Sequence, residues 1–331
     1  MGMSQAATLA PALAQQSFEG KTITISIGSS AGGGLDTFAR LVARHLGKHV
    51  PGNPDVVPQN VPGAGGNIVA SQIFNLAPKD GTSIGITFPG ILIDPVLNTD
   101  ARPDFAPSKF QYLGSAHSEV LVCVVNQASG FKDLNRALET EIVIGATAPG
   151  STTSHYPAVA NSILESKFRV ISGYKGSREV TNAVERDEVQ GICGVGWSTI
   201  KVQIPDALEE GSFAHVFAQE DTQGHPDLNA AGVPLMYDLA QTDEQRQVLE
   251  WFYSQNSFAR PFILPPEVPA ETVEMLRAAF DATMADPELL ADAAGMGIDV
   301  QPRTGAEVQE IVQRMYDAPD EIVQKVRDAI K

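Results

Sequence analysis

The sequence has no run of about 18 uncharged apolar residues, which argues against a membrane-spanning helix. It is also poor in basic residues, with 23 lysines and arginines against 40 aspartates and glutamates and a formal net charge of −17. Since no basic cluster interrupts this acidity, we do not expect nucleic acid as a partner. Backbone N–H groups still bind anions in acidic proteins, so we expect any anion site to be rich in glycine rather than arginine.

Cysteine is scarce: Cys123 and Cys193 are the two present, each within an apolar run. Neither has a second cysteine at CxxC spacing, and no His/Cys/Asp cluster has the spacing of a metal site. We therefore predict no structural metal and no cofactor. Two buried thiols and a single disulfide are both compatible with the pattern.

The first 20 residues carry no charged side chain before Glu19 and contain the small-residue segment Ala12-Leu13-Ala14 before Gln15. This segment resembles the cleavage site of a secretory signal peptide whose basic and long apolar parts are missing. We therefore predict a periplasmic protein and exclude residues 1–19 from the fold. A disordered N-terminus is the alternative.

Predicted strands and helices alternate twice along the chain. KTITISI (21–27) predicts a strand and LDTFARLVARHLGKHV (35–50) a helix, and the alternation restarts at VLVCVV (120–125). Helices after residue 257 are expected to return to the first lobe, giving two chain crossings and a hinge. We predict an α/β fold of two lobes, each a mostly parallel sheet flanked by helices, with a cleft between them. The expected boundaries are 20–118 with 253–331 for lobe 1, and 119–252 for lobe 2.

The loop GSSAGGGLD (28–36) lies between the first predicted strand and helix, where ligands bind in open α/β sheets. N–H groups from Ala31 to Leu35 are expected to point at an anion, aided by the helix dipole and the hydroxyls of Ser29 and Ser30. A tight turn is the simplest alternative. The glycine spacing fits neither a dinucleotide-binding fingerprint nor a phosphate P-loop, which needs Gly-Lys-Ser/Thr.

Gly28 to Gly32 also match the G-x-S-x-G turn of serine hydrolases, with Ser30 as the nucleophile. His155, His117 and His225 are candidate bases, but no spacing marks any of them. The hydrolase nucleophile follows several strands, whereas one strand precedes Ser30. We therefore predict a binding protein rather than an enzyme and keep a serine hydrolase as the alternative.

Two further loops have the same form: NVPGAGGN (60–67) before the second predicted helix, and ATAPGSTT (146–153) between a strand and a helix of the second lobe. Three such loops facing a cleft are typical of a carboxylate clamp rather than a catalytic centre.

These segments resemble a known family, the solute receptors of tripartite tricarboxylate transporters, also called Bug receptors. The resemblance is carried by G-G-G-x-D-x-x-A-R at Gly32–Arg40, by N-x-P-G-A-G-G at Asn60–Gly66 and by Asp80-Gly81-Thr82 before a strand. It implies a two-lobed, type II-like periplasmic binding fold that binds a di- or tricarboxylate or an aromatic carboxylate. It also implies delivery of this solute to a membrane permease. We expect a monomer, and the sequence does not distinguish transport from sensing.

Together the loops and the resemblance predict a ligand site made of Ser29, Ser30, Ala31, Gly32, Gly33, Gly34, Gly65, Gly66, Asn67, Thr87, Phe88, Pro149, Gly150, Ser151, Thr152, Thr153, Tyr174 and Trp197. The two aromatic rings either stack on a flat ligand or pack in the core. Asp36 and Arg40 are predicted to be structural. Many family members have Phe-Asp-Asn after the strand at 191–195, whereas this chain has GVGWS (194–198). The missing acid argues against an amino-acid ligand.

Overall fold

The computed structural model describes residues 17–98, 103–148 and 150–331. Two β-sheets flanked by helices form its centre, so the predicted α/β architecture of two lobes is confirmed. The strands are β1 (Thr22–Ile27), β2 (Asp55–Asn60), β3 (Ser83–Ile86), β4 (Gln111–Ser115), β5 (Leu121–Asn126), β6 (Ile142–Ala146), β7 (Phe168–Ser172), β8 (Gly191–Gly196), β9 (Ala214–Glu220), β10 (Pro261–Leu264) and β11 (Arg303–Thr304).

The α-helices pack on both sheets, and none in the described ranges is long and apolar enough to cross a membrane. They are α1 (Gly34–Leu46), α2 (Asn67–Asn75), α3 (Pro89–Leu97), α4 (Arg136–Glu139), α5 (Thr152–Leu164), α6 (Ser177–Glu185), α7 (Trp197–Gln203), α8 (Pro226–Ala230), α9 (Asp243–Tyr253), α10 (Ala270–Met284), α11 (Pro287–Gly295), α12 (Gly305–Tyr316) and α13 (Asp320–Ala329).

The first sheet has the strand order β11-β4-β10-β3-β1-β2. The alternating sequence of β1 places Ile23, Ile25 and Ile27 in one apolar cluster with α1, where all three are fully buried. β1 pairs in parallel with β2 and β3, as the strand–helix alternation predicts. β10 runs antiparallel to β3 and β4, so the parallel half of the sheet ends at β3.

The second sheet has the order β7-β6-β8-β5-β9, with β6 parallel to β7 and β8, and β5 antiparallel to β8 and β9. Both sheets are therefore mixed rather than mostly parallel as predicted, because each chain crossing adds antiparallel strands to them. Cys123 on β5 and Cys193 on β8 lie on neighbouring strands and form a disulfide. This fully buried disulfide therefore links β5, the first strand of the second sheet along the chain, to β8, the central strand of that sheet.

The chain passes between the sheets at residues 116–120 and 254–260. The two crossings are bonded to each other, because Glu119 N donates to Asn256 O at 2.9 Å. α13 packs on α9 and α5 as well as on α3, so the C-terminus contacts elements on both sides of the crossings. The predicted lobe boundaries at 118/119 and 252/253 stay a prediction. The exclusion of residues 1–19 from the fold is wrong at Phe18, which is fully buried in the cluster around β1 and donates from its N to Pro51 O at 2.8 Å; residues 1–16 lie outside the described ranges.

The segment PLMYDLAQTDEQRQVLEWFY (234–253) is divided by a helix start at Asp243. The Thr242 side chain accepts from Gln245 N, and the Gln245 side chain accepts from Thr242 N, which starts α9 at Asp243. The residues before it form a short 3-10 turn, Met236–Leu239. The capping pair therefore breaks the helix.

Candidate functional site

The carboxyl ends of β1, β2 and β3 meet at one edge of the first sheet, as parallel pairing requires. Gly28, which follows β1, lies against Gly66, which precedes α2: a Cβ atom built on Gly28 would be 3.0 Å from the Gly66 Cα. The loop from 29 to 34 is mostly exposed. α1 and α2 therefore begin side by side, and the first turn of each has N–H groups without an intrahelical acceptor.

Asp36 is the buried centre of the first loop. Its carboxylate accepts hydrogen bonds from Gly32 N (2.9 Å), Arg40 Nε (2.9 Å) and Asn60 Nδ2 (2.8 Å). Burial alone would raise the pKa of Asp36, but these three bonds hold it below its ordinary value. The Gly32 N–H therefore points at Asp36 rather than at a ligand, contrary to prediction. The amides left for an anion are those of the first turn of α1, which has no side-chain cap.

Asn60 joins the first glycine loop to the second. Its amide nitrogen also donates to Ser29 O at 3.0 Å, and its oxygen accepts from Arg40 Nη2 at 2.7 Å. Through its bonds to Asp36, Arg40 and Ser29, Asn60 thus holds the second glycine loop against the first. These contacts agree with the structural roles predicted for Asp36 and Arg40.

The second loop turns on two glycines with positive φ, and an unpaired hydroxyl, that of Thr87, follows the neighbouring strand β3. Gly63 (φ 142°) and Gly66 (φ 103°) adopt backbone angles that favour glycine, and the Asn67 side chain folds back onto the turn. Thr87, after β3, is fully buried, and its Oγ1 has no hydrogen-bond partner within the described ranges. A buried hydroxyl without a partner indicates a place for water or a ligand atom. Phe88 beside it is 39% exposed.

In the second lobe, the loop between β6 and α5 presents hydroxyl groups. Thr153 Oγ1 accepts from Thr147 N at 2.9 Å and lies 2.8 Å from Ser151 Oγ, which also accepts from Thr147 Oγ1. α5 begins here without a side-chain cap. The structure thus brings the predicted hydroxyls together at a helix N-terminus. Pro149, also predicted to contact the ligand, lies outside the described residues.

Tyr174 and Trp197 pack within the second lobe. Trp197 is 4% exposed and belongs to the lobe's apolar core, with Lys201 Nζ 6.0 Å from its ring centroid. Tyr174 packs against the same cluster, 3.3 Å from a Cβ atom built on Gly145. Of the two alternatives considered for these rings, stacking on a ligand or packing in the core, the structure shows packing with the core for both.

Glu119, in the chain crossing at residues 116–120, places a carboxylate beside the segment that follows β8, where the sequence itself has no acid. The Glu119 carboxylate accepts from Ser198 N (3.2 Å) and Ser198 Oγ (2.5 Å), and its Cδ would be 2.8 Å from a Cβ atom on Gly196. Burial favours a higher pKa for Glu119, but hydrogen bonds from His117 and Ser198 outweigh it, so the pKa is lowered. An acid from a distant part of the chain therefore lies beside the segment that follows β8, while the argument against an amino-acid ligand stays a prediction.

Arg260 lies at the edge of the first sheet where the residues that follow β3 are found, and it was not among the predicted site residues. It precedes β10, whose antiparallel pairing of Phe262 with Ile86 places Arg260 beside the residues that follow β3. Its Nη2 is 3.5 Å from a Cβ atom built on Gly34, and its Cζ is 5.5 Å from the Phe38 ring centroid. An arginine is thus part of a site expected to contain glycine instead.

The GSSAG turn does not have the surroundings of a hydrolase. Ser30 is exposed, and no described histidine is hydrogen-bonded to it. His117 Nε2 contacts Glu119 at 3.3 Å, and His225 Nε2 lies 2.7 Å from Gln301. The described residues therefore do not pair Ser30 with a base.

A cavity of about 750 Å³ lies beside the edge strands β9 and β11, away from the glycine loops. Its charged lining comprises Glu119, Asp221, Glu250, Glu307, Glu310 and Asp317 against Arg303 and Arg314. Because this excess of acids repels an anion, the glycine loops are the better carboxylate site.

His45 lies far in sequence from Asp286 and Glu288, but the three bring potential metal-ligand atoms within 4.8 Å of one another. Lys48 Nζ lies 2.5 Å from Asp286 and 2.6 Å from Glu288. Since Lys48 already supplies a cation to both carboxylates, we assign the group as an ion-pair cluster that joins α1 to α11.

Comparison with known proteins supports this fold along the whole chain. No family model matches it. A protein of Pseudomonas sp. (strain P51), described as a UPF0065 protein in the tcbD-tcbE intergenic region, is 25% identical over 342 residues, which cover 98% of this chain and 91% of that protein.

Solved structures share the fold at low sequence identity. A TctC solute binding protein from Polaromonas superposes with a TM-score of 0.72 at 17% identity, covering 92% of this chain and 98% of that one. MatC from Rhodopseudomonas palustris, solved with bound malate, gives a TM-score of 0.57 at 18% identity, covering 94% and 99%. These likenesses confirm the fold implied by the resemblance that Gly32–Arg40 and Asn60–Gly66 carry.

Proposed function

We propose that the protein is a periplasmic receptor that binds a small organic acid and delivers it to a membrane permease, as its resemblance to the solute receptors of tripartite tricarboxylate transporters implies and its likeness to a TctC solute binding protein supports. The observation that carries the proposal is the convergence of α1 and α2 at one sheet edge, where Gly28 contacts Gly66. Two helix N-termini supply preorganised N–H donors and two positive dipole ends, which suit a carboxylate.

The second lobe supplies the opposite wall of the proposed site. Leu121 pairs with Gly196, and Ser115 pairs with Pro261, so the loops at these sheet ends lie next to the chain crossings. Closure about the crossings brings the hydroxyl loop before α5 onto the ligand and excludes solvent. Since these groups donate hydrogen bonds and Ser30 has no base, the proposed role is binding without catalysis.

The proposed ligands are di- or tricarboxylates and aromatic carboxylates. MatC, which shares the fold, holds malate. Phe88, 39% exposed at the same edge, offers an apolar contact for the body of such a ligand. We propose that the receptor acts as a monomer.

A thermal-shift panel tests the proposal with malate, succinate, citrate, adipate and benzoate, with succinamide as the uncharged control. A ligand at about 100 times its Kd stabilises the native state by about 2.7 kcal/mol, so Tm rises by several degrees. A panel in which no acid raises Tm above the succinamide control overturns the proposal. Hydrolysis of a p-nitrophenyl ester that Ser30→Ala abolishes would favour the hydrolase instead.

A further inference from the structure

The guanidinium group of Arg260 has one bonded edge and one free edge. Nη1 donates to Ala259 O at 2.7 Å, which fixes the orientation of the group. Nε is buried and has no partner among the described residues, and Nη2 faces the first turn of α1 near Gly34. Nε and Nη2 form the side of the guanidinium that binds a carboxylate through two parallel hydrogen bonds.

No described acid occupies this free edge. Glu119 is the acid whose charge acts on Arg260, but its carboxylate is bonded to Ser198 and His117, and no ion pair joins it to Arg260. Burial lowers the pKa of Arg260, although an arginine stays charged near neutral pH. Arg260 is half-buried and its Nε has no contact with solvent, and charged groups shielded from water in proteins are normally paired, so we expect the partner of this cation to come from outside the chain.

The surroundings of Arg260 hold its plane and add a second donor. The Phe38 ring lies 5.5 Å from Cζ, close enough for a cation–π contact. His117 stacks on the same ring, with centroids 5.6 Å apart. The fully buried and unpaired Thr87 hydroxyl follows the adjacent strand β3, so unpaired donors are concentrated at this edge of the sheet.

We propose that Arg260 is a ligand-binding residue whose Nε and Nη2 clamp one carboxylate of the solute against the N-terminus of α1. The inference rests on the proposed function and makes it more specific. It requires a planar anion at this position, because an arginine fork matches a carboxylate better than it matches a hydroxyl or a neutral amide.

Isothermal titration of the full chain with malate and adipate tests the clamp. Arg260→Gln is expected to weaken binding by about 10- to 100-fold, the effect of losing hydrogen bonds between charged partners. Arg260→Lys keeps the charge but loses the fork, so we expect an intermediate affinity. Arg44→Gln is the matched control. Arg44 lies in the last turn of α1, away from its N-terminus, and bonds to Asp292, so this variant should bind like wild type.

A ¹⁵N NMR titration follows the Arg260 side chain in the wild-type protein itself, so the binding readout is not affected by a loss of stability in a variant. The Arg260 Nε–H resonance, identified by its loss in Arg260→Lys, should shift when malate or adipate binds. Wild type that binds either acid with this resonance unmoved, or an Arg260→Gln protein within twofold of the wild-type Kd, overturns the clamp and leaves the receptor intact. Wild type that binds no acid of the panel overturns both.

Discussion

The backbones of Gly28 and Gly66 are in contact: a Cβ atom on Gly28 would lie 3.0 Å from the Gly66 Cα and 3.3 Å from the Ile86 carbonyl oxygen. Neither neighbour is the end of a flexible side chain, so any other residue at position 28 must separate the two loops. The juxtaposition of the α1 and α2 N-termini therefore depends on a glycine that the sequence shows only as part of a turn.

Gly28→Val is expected to weaken malate or adipate binding at least about tenfold, equivalent to about 1.4 kcal/mol, because the two helix N-termini can no longer act on one carboxylate. Titration calorimetry measures the change. Gly90→Ala, in the first turn of α3 where a Cβ atom meets nothing within 4 Å, should leave the affinity unchanged. Wild-type affinity in Gly28→Val would contradict the role assigned to the contact.

Asp36→Ala is expected to destabilise the protein by about 1–2 kcal/mol at pH 7, since it removes the carboxylate that accepts from Gly32 N, Arg40 Nε and one N–H of the Asn60 amide. The folded-state pKa of Asp36 is lowered below 3.8. Its contribution is therefore present above about pH 4 and is lost as the pH falls through the lowered value. Urea unfolding at pH 7 and near pH 3 should show the difference from wild type shrinking in acid. An undiminished difference would contradict the electrostatic part of the argument.

Elements with a strong local pattern could be predicted from the sequence. β1 follows from polar and apolar alternation, and α10 begins at Ala270, where the first-turn acids indicate a helix start. α3 was not predicted, because Pro89 and Pro95 read as turn signals although the first occupies a permitted helix position. A local sequence pattern therefore does not predict a helix such as α3, in which one proline occupies the first turn and another lies inside the helix.

The candidate site was predictable only in its loops. Gly28, Gly66 and the hydroxyls around the start of α5 lie between a parallel strand and the helix that follows it, so their place at a sheet edge can be inferred from chain order. Arg260 and Glu119 reach the site through antiparallel pairings and chain crossings between residues distant in sequence. No local spacing records such pairings, so the sequence did not place Arg260 and Glu119 near the glycine loops.

The Cys123–Cys193 disulfide closes a loop of 70 residues, which in the chain-entropy account stabilises the native state by about 4 kcal/mol. We expect the double variant Cys123→Ala, Cys193→Ala to lose stability of this order in urea unfolding. Reduction should have a similar effect on wild type, whereas the variant should not respond to the reductant. Mass spectrometry showing two free thiols in the oxidised native protein would contradict the assignment.

Glu220, at the end of β9, is fully buried. Burial raises its pKa to about 8, and the hydrogen bond from Gly194 N only partly offsets this. Its folded-state pKa therefore lies above the unfolded value near 4.5, so the native state retains a proton that the unfolded chain releases. Stability from this group is complete below about pH 4.5 and is lost as the pH rises to about 8, with a slope of up to about 1.4 kcal/mol per pH unit.

Glu220→Gln removes this titration while keeping a neutral side chain of the same size. The free energy of unfolding of the variant relative to wild type should therefore rise steadily from pH 5 to pH 8 and level off above it. Urea unfolding at unit pH intervals measures the difference, with the exposed Glu209→Gln as the matched loss of one carboxylate. A difference that stays constant across this range would mean that Glu220 is ionised in the native state, and that Gly194 N with its surroundings compensates the buried charge.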